Sequence, residues 1–424
     1  MTRKAARTRS PSLVAERGSP LAPSTPPRSR MLAPSPIEVE GEQYVLIEDP
    51  EGIVPEGFAI SPPMYLILAL CDGQRTPEDI QAALVAELGS FIAIDEVSKA
   101  LDELARHGLL QCEAVDERLR DRLDAYRAGP RAACHAGAVY PAAEAELRSY
   151  LDELLARSQA SLPEGVRVEC LVAPHIDFQR GARIYADAYA AARDHVRAET
   201  FIVLGVAHAP TPGPFILTRQ PFETPLGTME VDAGAADQIA SALGEAACDG
   251  ELLHEREHSV EFQAVWLKHL FPKAKMVAVL CSHLDAARPG SLEAANALAS
   301  RIREMRQRDP GRYCVVAGVD LSHVGPDFGH SKPAGADEAA GASEVDHRVM
   351  TSVLAGHADG VLEACLPGLG EEDPNVCGQA ALHVAAKCMS PCMGSAIQYG
   401  QAPTPSGQSV VGFCAAALWP RPEA

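Results

Sequence analysis

The chain has 424 residues, a formal charge of −20 at pH 7 and 47% hydrophobic residues. That length accommodates one large α/β domain and a smaller one, each with its own core, while the acid excess argues against nucleic acid as a partner, which demands a basic face. Twelve cysteines form no paired framework and no apolar run reaches the length of a membrane span, so the expectation is a cytoplasmic protein with reduced thiols and no membrane partner.

Residues 1–36 hold seven prolines, seven of the 37 basic residues and one of the 57 acidic ones. Such a composition predicts a disordered tail. Its Arg and Ser content also resembles a transit peptide, and Met31 is an alternative start.

A small α+β domain is expected over 37–115. YVLIEDPE reads as a strand, PPMYLILALCDGQ as a helix closed by Asp72-Gly73, and Thr76-Pro77-Glu78-Asp79 as a helix start with Thr at the cap and acids in the first turn. A third helix carries Val97, Ala100, Leu101 and Leu104 on one face and ends at Gly108; Leu109-Leu110 begin a closing strand. Strand, three helices, strand is a winged-helix-like layout. LALCDGQRTPEDIQAAL with ELARHGLL resembles the PqqD-like domains, which hold peptides in modification systems. A DNA-reading winged helix would need a basic last helix, which is absent here, and a plain docking or dimerisation domain fits equally well. Residues 116–130 read as a charged helical linker.

The large domain is expected over 131–421. Four apolar runs end in histidine: LVAPH at His175, FIVLGVAH at His208, MVAVLCSH at His283 and YCVVAGVDLSH at His323. Runs of this kind are buried strands, and ligands collect at the carboxyl ends of strands in α/β sheets. A single histidine at a strand exit is unremarkable; four at one edge suggest a shared site. Helices are expected over 142–157, 180–195, 233–243, 258–270, 291–307, 335–355 and 378–388, with further strands at SAIQYGQA and SVVGFCAAALW. Alternating strands and helices predict one sheet flanked by helices.

Other groups able to do chemistry lie between these runs. HAGAVYP places His135 and Tyr140 before the first helix, and EHSVEFQ puts Glu257, His258 and Glu261 on one helical face, where a carboxylate can hold a histidine from behind. Cys377 precedes Gly378 at a helix start, which lowers a thiol pKa; a small buried hydrophobe is the other reading. Cys388 and Cys392 lack a second pair and read as structural. The loop HVGPDFGHSKP is rich enough in Gly and Pro to serve as a lid. No phosphate loop or dinucleotide fingerprint occurs.

Taken in order, HAGAVYP, LVAPH, LGVAH, TPLGTMEVD, EHSVEFQ, DLSH and VCG resemble the motifs of the MEMO family, also called AmmeMemoRadiSam system protein B, across nearly the whole large domain. The resemblance implies a fold similar to the class III extradiol dioxygenases. It implies metal ligands at His175, His208 and Cys377, and a catalytic histidine at His323 with Asp320 beside it to orient it. It also implies partnership with a radical SAM protein and an AMMECR1-like protein. His135, Asp177, Glu257, His258 and Glu261 are then expected to line the pocket or to support the ligands, and His283 to stand behind the site or on the surface.

Two imidazoles and a thiolate suit one iron or copper ion, with zinc possible, and leave open coordination positions. Thiolate in place of the carboxylate of a dioxygenase puts that family's usual reaction in doubt. The chain also departs from many relatives at Ile176-Asp177-Phe178, Ala209 and Val324, all in the expected pocket wall. Asp177 either brings a carboxylate toward the ion or makes a turn. The functional expectation is a metal-binding protein with redox or O2-linked chemistry. Its alternatives are a peptide-binding module using a vestigial pocket, or an extradiol-type dioxygenase.

Overall fold

The computed structural model describes residues 26–285, 288–368 and 372–421, and the chain divides into two compact units, Met1–Arg122 and Leu123–Ala424. The division falls inside helix α4 (Glu113–Arg127), within the stretch expected to link the domains.

The first unit pairs β1 (Ala33–Val39), β2 (Glu42–Glu48) and β3 (Ala59–Ile60) in an antiparallel sheet. Glu40 and Gly41 join β1 to β2 with φ of 55° and 86°, the all-positive geometry of a two-residue hairpin that matches strand twist. Helices α1 (Pro62–Leu70), α2 (Pro77–Leu88) and α3 (Ile94–Arg106) follow. Thr76 caps α2 in a full capping box with Asp79. Val97, Leu101 and Leu104 of α3 are buried as their spacing requires.

Two expectations for this unit are corrected. The part of the expected tail that the structure describes, residues 26–36, is folded: Ser29 N donates to Cys71 O at 2.8 Å, Arg30 N to Leu109 O at 2.9 Å, and β1 begins at Ala33. The rest of the tail lies outside the described residues. The closing strand at Leu109-Leu110 is instead an isolated bridge between Ser29 and Leu110. Polar composition hid the segment because its anchor is a charge: Arg30 pairs with Asp49 at 2.7 Å and Glu51 at 2.7 Å in a buried pocket.

The second unit is a nine-stranded mixed sheet between two layers of helices. Four parallel strands form its centre in the order β4 (Cys170–Ala173), β9 (Tyr313–Gly318), β5 (Thr200–Val206) and β8 (Lys275–Cys281). On the β4 side lies β12 (Val410–Pro420), antiparallel, carrying β11 (Cys392–Pro403) and the short β10 (His323–Val324). On the β8 side lie β6 (Phe215–Thr218) and β7 (Glu230–Val231).

Each central strand feeds both faces, because successive side chains point to opposite sides. Cys170, Val172, Ile202 and Leu204 pack under α7 (Ala233–Leu243), α9 (Ser291–Arg308), α10 (Ala336–Leu354) and α12 (Gln379–Met389). Leu171, Ala173, Phe201 and Val203 pack under α5 (Glu144–Arg157), α6 (Phe178–Arg193) and α8 (His258–Leu270). Each such aliphatic side chain contributes about 1.5–3 kcal/mol on burial. Every helix expected in this unit is present within a few residues of its expected ends. Elements not foreseen include β6, whose Phe215, Ile216 and Leu217 follow Gly213-Pro214, the short β10, and α11 (Ala358–Ala364), which restarts after a turn at Gly356 with φ 68°.

Candidate metal site

Five histidines, His135, His175, His208, His258 and His323, line a cavity of about 370 Å³ at the carboxyl edge of the sheet, together with Asp177, Phe262, Asp320 and Phe328. Their placement follows from the central strands. β4 releases His175, β5 releases His208, and β9 runs on to Asp320 and His323. His258 arrives from a different element, the first turn of α8. That helix sits against β5 because Gly205 has no Cβ; one added there would lie 2.6 Å from Ser259 Oγ. Ser259 Oγ completes the joint, donating to Val206 O at 2.9 Å and accepting from Val206 N at 3.0 Å.

All of these histidines but His135 are oriented through Nδ1. That nitrogen lies 2.9 Å from Gly318 O in His175, 3.1 Å from both Glu257 oxygens in His208, and 2.9 Å from Leu321 O in His323. Glu257 also reaches His258 Nδ1 at 3.3 Å and caps α8 by accepting from Ser259 N at 2.9 Å. A partner at Nδ1 fixes the tautomer that leaves Nε2 as the coordinating atom. The Glu257 carboxylate thus supports two imidazoles from behind, as its place beside His258 suggested.

The donor atoms of His175, His208 and His258 all lie within 4.8 Å of one another. His208 and His258 stack with ring centroids 4.6 Å apart, and His175 meets His208 edge-on at 4.9 Å. Cys377 Sγ is 3.5 Å from His175 Nε2 and donates to Asp320 O at 3.4 Å. The cysteine comes this close because Gly378 behind it lacks a side chain; a Cβ there would stand 2.7 Å from Asp320 O. Asn375, in the left-handed region at φ 49°, ties the same loop to His323 O and Phe328 O.

Burial dominates the electrostatics. It pushes His175 down to about 3, helped by His208, and His258 down to about 3 against the pull of Glu257. His323 is lowered for the same reason. For His208 the Glu257 carboxylate outweighs burial, so its pKa is raised, and Glu257 itself is held well below the usual carboxylate range. Asp320 is pushed up to about 6 by burial. The expectation of a lowered Cys377 pKa is corrected: burial, with the Asp320 carboxylate nearby, holds the thiol well above its ordinary value despite the helix start.

The remaining expected residues sort as follows. Asp320, expected to orient His323, accepts through Oδ1 from His175 N at 3.0 Å and Ile176 N at 3.2 Å, which holds the His175 turn, and its charge also raises the His323 pKa against burial. Asp177 caps α6 and pairs with Arg180 at 2.6 Å, so of the two readings it makes the turn. His135 lines the cavity, with Nε2 3.0 Å from Arg256 O. Glu261 belongs with His135 and not with the imidazoles of His175, His208 and His258: it accepts from the buried Arg131, from Tyr140 Oη and from His135 N. With Cys134 and His135 it forms a second group of close donor atoms. His283 is exposed and outside the cavity lining, because β8 lies beyond β5. Cys388 and Cys392 are buried in the core. The 323–333 loop reaches the cavity through Phe328, whose ring meets His323 edge-on at 4.7 Å. Arg131 went unnoticed in the sequence, since it sits neither at a strand end nor in a chemical cluster, and Gln263 was read only as part of the EHSVEFQ motif. Gln263 donates to Pro174 O at 2.8 Å and so fixes the turn before His175.

A mixed sheet flanked by helices, with a histidine-rich pocket at its carboxyl edge, defines an α/β protein with donor groups fit for a metal ion. The sequence profile described as Memo-like protein matches residues 131–417, and the chain belongs to that family. Similar proteins include a MEMO1 family protein of Aquifex aeolicus, 28% identical over 294 residues covering 69% of this chain and 75% of the relative. Another, from Thermus thermophilus, is 31% identical over 259 residues, 60% of this chain and 73% of the relative. A third, from Methanosarcina mazei, is 26% identical over 249 residues, 58% of this chain and 83% of the relative. The architecture agrees with the dioxygenase-like fold that the motif order implied. Among the described residues no helix is long and apolar enough to cross a membrane.

Proposed function

We propose that the large unit binds one iron or copper ion through His175, His208 and Cys377 and uses it in redox or O2-linked chemistry. The observation that carries this reading is the pair of engaged Nδ1 atoms. Gly318 O and Glu257 leave the Nε2 atoms of His175 and His208 as donors, with the Cys377 thiol 3.5 Å from the first. The ion, when bound, supplies the electron-transfer centre and the open positions. His323 supplies acid–base function: its Nδ1 is held by Leu321 O, and burial keeps it neutral, so Nε2 can accept a proton from a bound molecule. Asp320 serves by holding the His175 turn. A second reading puts His258 in place of Cys377, favoured by the tight grouping of the three imidazoles.

The resemblances extend the proposal. The first unit is read as a peptide-holding PqqD-like domain, and the whole protein as acting with a radical SAM protein and an AMMECR1-like protein. Co-purification with tagged forms of those two proteins tests that extension.

The metal assignment is tested by titrating protein purified without air with Fe(II), Cu(I), Zn(II) and Mn(II). Cys377→Ser is expected to lose affinity for copper more than for manganese, since thiolate preference is what is removed. His323→Ala is expected to keep its metal. If Cys377→Ser binds every ion as the parent does while His258→Gln binds none, the three-histidine site is the correct one. Loss of all metal from His323→Ala would overturn its acid–base role.

A further inference from the structure

The HAGAVYP turn brings Tyr140 to within one ring of the metal pocket, where metal binding gives it no part. Phe262 lines the pocket, and its ring centroid lies 5.2 Å from that of His258. Behind it, Tyr140 meets Phe262 edge-on at 6.2 Å and packs against Phe178 at 5.5 Å. The Tyr140 ring is buried, and its hydroxyl donates to Oε1 of Glu261, itself fully buried. Oε2 of the same carboxylate is paired with Arg131.

One-electron oxidation of a phenol needs such a pairing. A phenol that loses an electron becomes a strong acid, so the oxidation is accessible only where a base takes the proton at once. Glu261 is that base. Burial opposes its ionisation, but Arg131 and the Tyr140 hydroxyl outweigh it and hold the carboxylate below its ordinary pKa, unprotonated. Burial and the Glu261 charge raise the Tyr140 pKa, so the phenol keeps its proton until it is oxidised. Other oxidisable rings of the same layer lack this provision. Trp266 stacks on Tyr185 and Tyr189 at interplanar angles of 10° and 4°, yet its Nε1 is buried with no acceptor among the described residues. Tyr185 donates to Ile176 O at 3.0 Å and Tyr189 to Gln263 Oε1 at 2.8 Å, neutral oxygens that do not hold a proton. Tyr399 does donate to a carboxylate, Asp346 at 2.8 Å, but its ring packs against His347, outside the pocket lining.

We propose, resting on the redox reading of the pocket, that Tyr140 is a one-electron donor to it and Glu261 the proton acceptor. A single packed ring, Phe262, separates donor and pocket, a gap that an electron crosses without a carrier. The oxidant is a peroxide. Its two-electron reduction takes one electron from a ferrous or cuprous ion and needs a second from elsewhere. The O–O bond breaks, and two protons from solvent complete two water molecules. The Tyr140 O–H bond breaks as well; its electron passes to the pocket and its proton to Glu261, which leaves a tyrosyl radical.

The test is freeze-quench electron paramagnetic resonance of the full chain, purified without air and mixed with hydrogen peroxide. The chain is first loaded with Fe(II), or with Cu(I) where metal titration selects copper. A tyrosyl signal is expected, narrowed in protein made with ring-deuterated tyrosine. Tyr140→Phe should lose it while metal content stays at the parent level, and Tyr399→Phe should keep it. Glu261→Gln should lose it too; where burying Arg131 without a counter-ion unfolds that variant, the two tyrosine variants decide. A signal that deuteration leaves unchanged belongs to Trp266 or to Cys134, whose thiol donates to Glu261 at 3.3 Å, and overturns the proposal. So does a tyrosyl signal that survives in Tyr140→Phe. Bound metal with no radical removes this proposal and leaves metal binding standing, whereas a chain that takes up neither ion removes both.

Discussion

Replacing Arg30 with alanine should destabilise the first unit by about 3 kcal/mol. The guanidinium lies 2.7 and 2.9 Å from the two Asp49 oxygens, 2.7 Å from Glu51 and 2.9 Å from Gly108 O, with 3% of the side chain exposed. Removing one partner of a buried pair costs about 3–5 kcal/mol. The lower end applies because Asp49 keeps three backbone donors, from Glu51 at 3.0 Å, Ile53 at 2.7 Å and Val54 at 2.8 Å. The pH dependence has a definite sign. Burial raises the Asp49 pKa, but Arg30 and the backbone N–H groups of Val54 and Glu51 outweigh it, so the folded value lies below the unfolded 3.8. The stability Asp49 contributes is present above 3.8 and disappears as pH falls through the folded value. In Arg30→Ala that acid-side loss should be smaller. Tryptophan fluorescence cannot report the change, since Trp266 and Trp419 both belong to the second unit. Hydrogen exchange by mass spectrometry at Arg30, Ile47 and Leu109, in urea, reads the first unit directly. A loss under about 1 kcal/mol, the range of an exposed pair, would refute the claim that residues 26–36 are an anchored part of that unit.

Other outcomes follow from the second unit. Glu257→Gln cannot accept from two imidazoles with both side-chain ends, so metal affinity should fall about 10–100-fold; parent-like affinity would dismiss its supporting role. Glu261→Gln leaves the Arg131 charge buried without a counter-ion, with both side chains at 0% exposure, and should cost about 3–5 kcal/mol in urea unfolding followed by tryptophan fluorescence. A cost below about 1 kcal/mol would mean that Arg131 finds another acceptor. His283→Ala should change stability by no more than about 0.5 kcal/mol and leave metal binding unaltered; a measurable loss of metal would return His283 to the site.

The part of the site carried on strands was legible because strand ends announce themselves. An apolar run stops, a histidine follows, and parallel packing sends the exits of β4, β5 and β9 to one edge. The same pattern over-reached at His283, since a strand's rank within the sheet depends on pairing between distant segments and leaves no local trace. Roles were harder to read than positions. Asp320 and His323 are close in sequence, which suggested that one orients the other, but that closeness gave no sign that Asp320 also holds the backbone of His175. Glu257 and Glu261 occupy equivalent positions one turn apart, and only folding shows that one faces the histidines and the other the buried Arg131. In the first unit, Pro, Ser and Arg looked like a segment unable to fold by apolar burial. Its attachment rests on an ion pair and backbone hydrogen bonds, to which composition is blind.

The register of β12 bears on how the pocket comes into being. β4, which delivers His175, has as its neighbours β9 and β12, at Cys170 opposite Val315 and Leu418. β10, which starts at His323, pairs with Val411 and Val410 of β12. Both flanks of the strand that carries His175 therefore wait for chain that is made long after it. Contacts so distant in sequence are slow to form because loop-closure entropy must be met before they stabilise anything. A nascent chain that has passed His175 and His208 but not β12 holds donors without a finished cavity. The lining of the pocket is thus brought together only when the last strand of the sheet is in place.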